Sequence, residues 1–132
     1  MDGDGIKELL LRSSIGDHLI LRYYEGSVYL YEFSYMEMDR VYEDGSYDWR
    51  SPTYLEDDSI HYGVSRVYFK ESEQKFKSIY TVYEGENESY FTINRKLASK
   101  SDLDAHIKSR KNIKEVTWTT YTLDPNNISA KG

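Results

Sequence analysis

The chain has 132 residues, with 23 acidic and 17 basic side chains and a formal net charge of −6 at pH 7. This length predicts one domain, residues 1–132, with enough chain to bury a single core. An acidic balance with a pI near 5.1 argues against nucleic acid as a direct ligand, because phosphate binding needs a dominant basic surface. The absence of cysteine excludes disulfides and thiolate chemistry and favours a reducing, cytoplasmic location.

The first predicted element is an N-terminal helix over residues 6–14. Ile6, Leu9 and Leu10 have helical spacing, Asp4 can cap the helix, and Gly16 ends it. The same segment lacks the basic start and long apolar run of a signal peptide. No stretch of the sequence reaches membrane-spanning length, so we expect no contact with a membrane.

From residue 18 onward the pattern becomes that of β-strands. Runs rich in β-branched and aromatic residues predict strands at 18–24, 28–35, 60–70, 76–84, 90–97 and 113–123. Three turns, at 24–29, 42–47 and 83–90, share an order of Tyr, acid, Gly, Ser and Tyr that is typical of tight hairpins.

A second helix is expected near 101–111, before the last predicted strand. Ser101 can cap it, and Leu103 and Ile107 lie on one face. Residues 124–132 have the composition of a frayed tail. The predicted fold is therefore α+β: an antiparallel meander of about six to seven strands, curved or closed to a half-barrel, with an N-terminal helix and a helix near 101–111.

Residues that could carry catalysis or hold a metal are sparse. His18, His61 and His106 are far apart in sequence, and none lies in a metal-binding pattern. A pair such as His18 and His61 could exchange protons, but a surface or hydrogen-bonded role is commoner. The run 56–58, Glu-Asp-Asp, could hold Ca²⁺ or Mg²⁺, although solvation is the commoner reason for such a run. We predict no enzyme activity, metal or cofactor.

Charge asymmetry is the strongest signal in the sequence. Residues 32–58 carry nine acidic and two basic side chains, interleaved with six aromatic ones. Residues 95–114 carry seven basic and two acidic side chains. If the fold brings the two segments together, they neutralise each other within the molecule. If it keeps them apart, the acidic segment is a recognition surface for a cationic partner.

The favoured hypothesis is a small non-enzymatic inhibitor that blocks the basic cleft of another protein. Its acids would mimic phosphates and its rings would supply contact area. Bacterial immunity proteins against toxins, and phage anti-defence proteins, share this short, acidic, cysteine-free and aromatic-rich profile; of the two we favour toxin immunity. The predicted partner-binding residues are Glu37, Asp39, Tyr42, Glu43, Asp44, Tyr47, Asp48, Trp49, Tyr54, Glu56, Asp57 and Asp58.

Two alternatives stay open. In one, the curved sheet forms a small-ligand-binding or catalytic domain, with a pocket lined by inward tyrosines. Those tyrosines would be Tyr23, Tyr29, Tyr31, Tyr80 and Tyr83. In the other, the protein is a structural module that associates with itself through an exposed strand edge.

Overall fold

Two antiparallel sheets and one helix make up the fold in the computed structural model, which describes residues 5–51 and 59–119. The smaller sheet has the order β1-β2-β3, with β1 at Glu8–Arg12, β2 at His18–Tyr24 and β3 at Ser27–Phe33. The larger sheet has the order β4-β5-β6-β7-β8, with β4 at Ser46–Arg50, β5 at Ile60–Lys70, β6 at Glu73–Glu84, β7 at Ser89–Ile93 and β8 at Lys96–Ala98. Helix α1 spans Lys100–Ser109.

The α+β class and the antiparallel pairing are confirmed, but the single meander of six to seven strands is wrong. The predicted N-terminal helix is also wrong, because residues 8–12 form strand β1 on the edge of the smaller sheet. A run of three leucines fits both the helical and the strand period, and pairing with β2 makes the segment a strand. As a strand, the segment turns Leu10 toward the core and pairs the Glu8 carboxylate with Arg22.

The predicted strands at the C-terminal end are also revised. The run 90–97 is two strands, because Asn94 and Arg95 both have positive φ, at 50° and 68°, and form a two-residue hairpin turn. Residues 113–119 contain only an isolated bridge between Glu115 and Tyr42. The rest of the predicted last strand and the predicted tail, 124–132, lie outside the described residues. The second helix begins one residue earlier than predicted, with Ser99 rather than Ser101 as its cap.

The core lies between the two sheets. Ile20 and Phe33 of the smaller sheet pack with Val67 and Phe69 of β5, and with Tyr47 of β4. Alternation along β5 directs residues 65, 67 and 69 to this side, and the register shift after Val64 leaves Ile79 of the neighbouring β6 as the extra residue. Burying apolar side chains from both sheets against each other is what holds the two layers together.

Arg22 adds a polar connection between the sheets. Its side chain is 1% exposed and forms an ion pair with Glu8 on the neighbouring strand. Its Nε donates to the Glu71 carbonyl at 3.2 Å, and its guanidinium lies 4.7 Å from the centre of the Phe69 ring. The buried cation is thus satisfied by groups from both sheets.

Helix α1 lies on the other side of the larger sheet. Leu103 is buried, His106 meets the Tyr80 ring edge-on, and Lys100 approaches the Phe91 ring. Tyr80 and Phe91 belong to the face opposite the core, as the cross-strand pairs show. The molecule therefore has three layers, in the order smaller sheet, larger sheet, helix.

Candidate binding site

The central acids of the 32–58 segment are bound within the molecule. Asp44 Oδ2 lies 2.9 Å from Arg66 Nη2 and 3.8 Å from Arg110 Nη1. Burial raises the pKa of Asp44, but hydrogen bonds from Ser46 and Arg66 outweigh it and hold that pKa below its usual value. Arg110 also donates to Ser46 Oγ at 2.7 Å. The Asp44 carboxylate is therefore a structural group of the turn that leads into β4.

Through these contacts the acidic and basic segments meet. Besides the pairing of Arg110 with Asp44, the amide of Glu43 donates to the carbonyl of Lys114 at 2.8 Å. Two residues beyond the basic segment, the amide of Val116 donates to the carbonyl of Val41 at 2.9 Å. The two segments are thus intramolecular partners around Asp44, and the described part of the acidic segment, 32–51, is not a continuous acidic surface.

Asp48 is half-buried and has two partners. It accepts from the Tyr42 hydroxyl at 3.0 and 3.1 Å and forms an ion pair with Arg40 Nε at 3.0 Å. Burial is the main reason that the pKa of Asp48 is raised, and the Tyr42 and Arg40 contacts act against it. Burial and the nearby carboxylate together raise the pKa of Tyr42 to about 12.

The remaining predicted partner-binding residues fall into three groups. Tyr47 is 4% exposed and packs against Phe33 in the core, so its predicted place on a contact surface is wrong. Glu37 and Glu43 are exposed, while Asp39 and Trp49 are half-buried. Tyr54, Glu56, Asp57 and Asp58 lie outside the described residues. The alternation of aromatic and acidic residues in the sequence is therefore split: the Tyr47 ring points into the core, and Glu37 and Glu43 point to solvent.

A row of four rings crosses the far end of the larger sheet, from β4 to β7. We call Trp49, His61, Tyr83 and Tyr90 the aromatic row. Successive ring centres lie 5.0, 5.8 and 4.9 Å apart, and the last pair is stacked at 17°. Contacts of this kind add to area burial and fix the rings in place.

Gly63 makes room for the first ring of the row. A Cβ at Gly63 would lie 2.8 Å from Trp49 Cζ2 and 2.4 Å from the Tyr80 carbonyl oxygen. The Trp49 ring therefore rests on the Gly63 backbone, and its Nε1 donates to Ser65 Oγ at 3.1 Å. This close approach gives the glycine in the middle of β5 a packing role.

The β6–β7 hairpin carries three exposed glutamates beside the aromatic row: Glu84, Glu86 and Glu88. Glu84 opposes Ser89 one position beyond the stacked Tyr83 and Tyr90, so its side chain points to the opposite face of the sheet, where its charge acts on Lys100. None of the three forms an ion pair with a residue in the described ranges. We call these glutamates and the aromatic row the acidic end. Sequence reasoning recognised the 83–90 turn by its glycine and tyrosines but did not weigh its acids as a site.

The segment 52–58 leaves and rejoins the described chain at this same end. The amide of Ser51 donates to the His61 carbonyl at 2.8 Å, and Ile60 pairs with Glu84. The residues that flank this segment, Ser51 and Ile60, thus lie at the same end of the sheet as the aromatic row.

A second concave feature lies on the helix side of the larger sheet. Two adjoining depressions of about 270 and 260 Å³ share Tyr42, Asp48 and Tyr80 as walls. We call them the central groove. Their charged walls are Arg40, Arg50, Arg110 and Lys111, together with Asp39 and Asp48. Of the tyrosines predicted to face a pocket, Tyr80 alone lines this groove, and Tyr23 is 62% exposed on the smaller sheet.

Within the described residues no three His, Asp or Glu side chains converge in a way that could hold a metal ion. No helix there is long and apolar enough to cross a membrane. Comparison of the chain with protein-family models, with curated proteins and with solved structures finds no match.

Proposed function

We propose that this protein is a non-enzymatic binding protein that inhibits a basic partner protein, and that the acidic end is its contact surface. The observation that supports this proposal is the placement of the aromatic row at the base of the hairpin turn that carries Glu86 and Glu88, with Glu84 on the opposite face of the same strand end. Fixed rings offer contact area and cation–π faces to Arg and Lys side chains, while carboxylates pair with their charges. Both are the chemistry of a surface that recognises cations.

The charge of this end favours a basic partner over an acidic or neutral one. The hairpin from Glu84 to Ile93 contains no basic residue. The sequence of residues 52–58, which lie outside the described residues, contains Glu56, Asp57 and Asp58 and no base. A concentration of like charge at one end steers a cationic partner toward it and speeds association. The predicted partner role of 52–58 is kept in the proposal, while that of Asp44 and Tyr47 is dropped.

Within this class we favour a bacterial immunity protein that acts in the cytoplasm on a toxin with a basic active-site cleft. A phage anti-defence protein is the variant of the same mechanism. In both, the carboxylates stand where the phosphates of a nucleic acid would bind, and the rings fill the space around them. Inhibition then follows from occupying the cleft, and no chemical step by this chain is needed.

The test is affinity capture from the native host with matched charge variants. In the test variant Glu84, Glu86 and Glu88 are changed to Gln. In the control variant Glu25, Glu71 and Glu73, three exposed glutamates at other turns, receive the same change, so both variants lose three charges. We expect one basic protein to be captured by wild type and control, and to bind the test variant roughly tenfold more weakly.

The captured protein is then purified, and its activity is measured with and without each variant. Inhibition by wild type and control at equal concentration, with weaker inhibition by the test variant, supports the proposal. Equal binding by the test variant and wild type would place the contact surface elsewhere. Binding that does not weaken between low and high salt would contradict an electrostatic contact.

The central groove supports a second candidate function, the binding of a small ligand. Its walls carry four cations against two carboxylates, and Tyr42 and Tyr80 offer hydroxyls and ring surface. This combination suits a small anion with a planar ring. A thermal-shift panel of aromatic carboxylates and nucleotides tests it. Stabilisation that disappears on changing Lys111 to Gln, but persists in the Glu84, Glu86 and Glu88 variant, would favour the groove over the acidic end.

A further inference from the structure

The outer face of the smaller sheet is apolar across all three strands. Strand alternation directs His18, Ile20 and Arg22 inward, where each is at most 1% exposed. The residues between and beside them point outward. Cross-strand pairs align Leu9, Leu21 and Leu30 in one row, Leu11, Leu19 and Glu32 in the next, and Tyr23 with Val28 at the end. Seven of these eight outward positions are apolar.

This face is open to solvent in the single chain. Leu9 is 54% exposed, Leu30 52%, Val28 65% and Tyr23 62%. Their exposed parts amount to on the order of 500 Å² of apolar surface, near the top of the range of about 300–600 Å² for the largest patch on a monomer. An antiparallel sheet with one face on the core normally presents polar residues on the other. A sheet that is apolar on both faces needs a cover on each.

Two charges stand at opposite corners of the patch. Lys7 precedes β1 by one residue and is exposed at the end of the sheet where β1 begins. Glu32 is exposed near the end of β3, the other edge strand, at the far end of the sheet. Neither forms an ion pair with a described residue. The face thus has one cation and one anion on a diagonal, with the leucines between them.

We propose that this face is the interface of a homodimer. A two-fold axis through Leu21, running from the Leu11 corner to the Val28 corner, places Lys7 of each copy over the partner's Glu32. An axis along the other diagonal would stack Lys7 on Lys7, and an axis parallel or perpendicular to the strands would place the charges over apolar side chains. The favoured axis crosses the strands of the two copies at roughly 90°, one of the two common ways in which sheets pack.

A second copy fits this face better than an unrelated partner does. An isologous interface uses the same patch twice, so its charges have to complement themselves, and the diagonal arrangement does so. A standard interface buries about 800 Å² on each partner, which the apolar patch and its polar rim can supply. The cationic partner of the acidic end gains nothing from a leucine surface, and the two surfaces lie on different sheets.

The proposal is tested by sedimentation and light scattering of the whole chain at about 100 µM. This concentration exceeds the micromolar dissociation constant of the weaker interfaces of this size. We expect wild type at twice the chain mass of 15.6 kDa. Changing Leu30 to Lys should give a folded monomer, checked by circular dichroism. The control changes Leu97, which is 81% exposed on β8 of the other sheet, to Lys and should leave the dimer intact.

A charge exchange tests the pairing itself. Lys7→Glu and Glu32→Lys each bring like charges together at both ends of the interface, and each should weaken dimerisation by roughly fivefold or more. The double variant K7E/E32K restores opposite charges and should regain most of the wild-type affinity. A monomeric wild type, a dimer that survives Leu30→Lys, or a double variant no better than the single ones would each overturn the proposal.

Discussion

The ion pair between Arg22 and Glu8 gives the most quantitative prediction about stability. Both side chains are only 1% exposed. Replacing Arg22 with Met removes the ion pair, the hydrogen bond to the Glu71 carbonyl and the contact with the Phe69 ring, while it keeps a long side chain in place. Loss of one partner of a buried pair typically costs about 3–5 kcal/mol, because the other charge keeps its desolvation penalty. We expect Arg22→Met to lower the free energy of unfolding by that amount.

Removing both charges should cost much less than removing one. In the double variant, Arg22→Met with Glu8→Leu, no carboxylate stays buried beside an apolar side chain, and stability should return to within about 1–2 kcal/mol of wild type. Urea unfolding followed by tryptophan fluorescence measures both. With a slope of about 1–3 kcal/mol per molar urea, the single variant should lower the midpoint by at least about 1 M.

The control is Lys75→Met, which breaks the exposed pair of Lys75 with Glu73. It should leave the urea midpoint where wild type has it, because solvent screens that pair. Unfolding of Arg22→Met at the wild-type midpoint, or a double variant as unstable as the single one, would contradict this role of the buried ion pair. In either case Arg22 would contribute nothing through its charge to the joining of the two sheets.

Three further predictions concern pH and packing. Burial, with the nearby Arg12 as the next cause, lowers the pKa of His18 below 6.5, so stability should fall as the pH drops below about 6.5, and His18→Gln should flatten that slope in thermal melts. Burial raises the pKa of Asp48, so the contribution of Asp48 to stability falls as the pH rises through that pKa. The difference in melting temperature between Asp48→Asn and wild type should therefore favour the variant more at pH 7 than at pH 4. Gly63→Ala brings a Cβ to 2.4 Å from the Tyr80 carbonyl oxygen and should cost about 1–3 kcal/mol in urea unfolding.

The strands and hairpins could be predicted because their signals are local. The 24–29 turn has Glu25 and Gly26 at positive φ between paired strands, as its sequence indicates. The helix near 101–111 is identified by the spacing of Leu103 and Ile107 and by the serine-rich start. Each of these features depends on residues a few positions apart, where period and turn chemistry decide the structure.

The N-terminal strand and the division into two sheets could not be predicted in this way. Leu9, Leu10 and Leu11 are adjacent, so neither a helical nor a strand period stands out. Only pairing with β2, through partners such as Leu21, makes this segment a strand. The grouping of strands depends in turn on core contacts such as that of Tyr31 with Phe69, residues 38 positions apart. Single-sequence patterns carry no information about contacts over that distance.

The candidate site shows the same limit in electrostatic terms. Charge counting correctly identified an acidic and a basic segment, but Asp44 finds Arg66 and Arg110 at separations of 22 and 66 residues. Those pairings withdraw the centre of the acidic segment from any partner. Among the described residues, the glutamates of the 83–90 turn, which were not among the predicted partner-binding residues, form no ion pair. A charge in the sequence becomes a surface charge only if the fold provides no counter-ion for it.

The two proposed interactions should respond to salt in opposite directions. Each chain has a net charge of −6, so two copies repel each other over distances comparable to the screening length of about 10 Å at 0.1 M salt. Added salt reduces this repulsion and strengthens apolar burial, so the homodimer should tighten, despite the weakening of one ion pair at each corner. The complex with a basic partner is held by attraction between opposite charges, so the same salt should loosen it. A homodimer that loosens with added salt would mean that attraction between charges, and not burial of the leucine face, holds the two copies together.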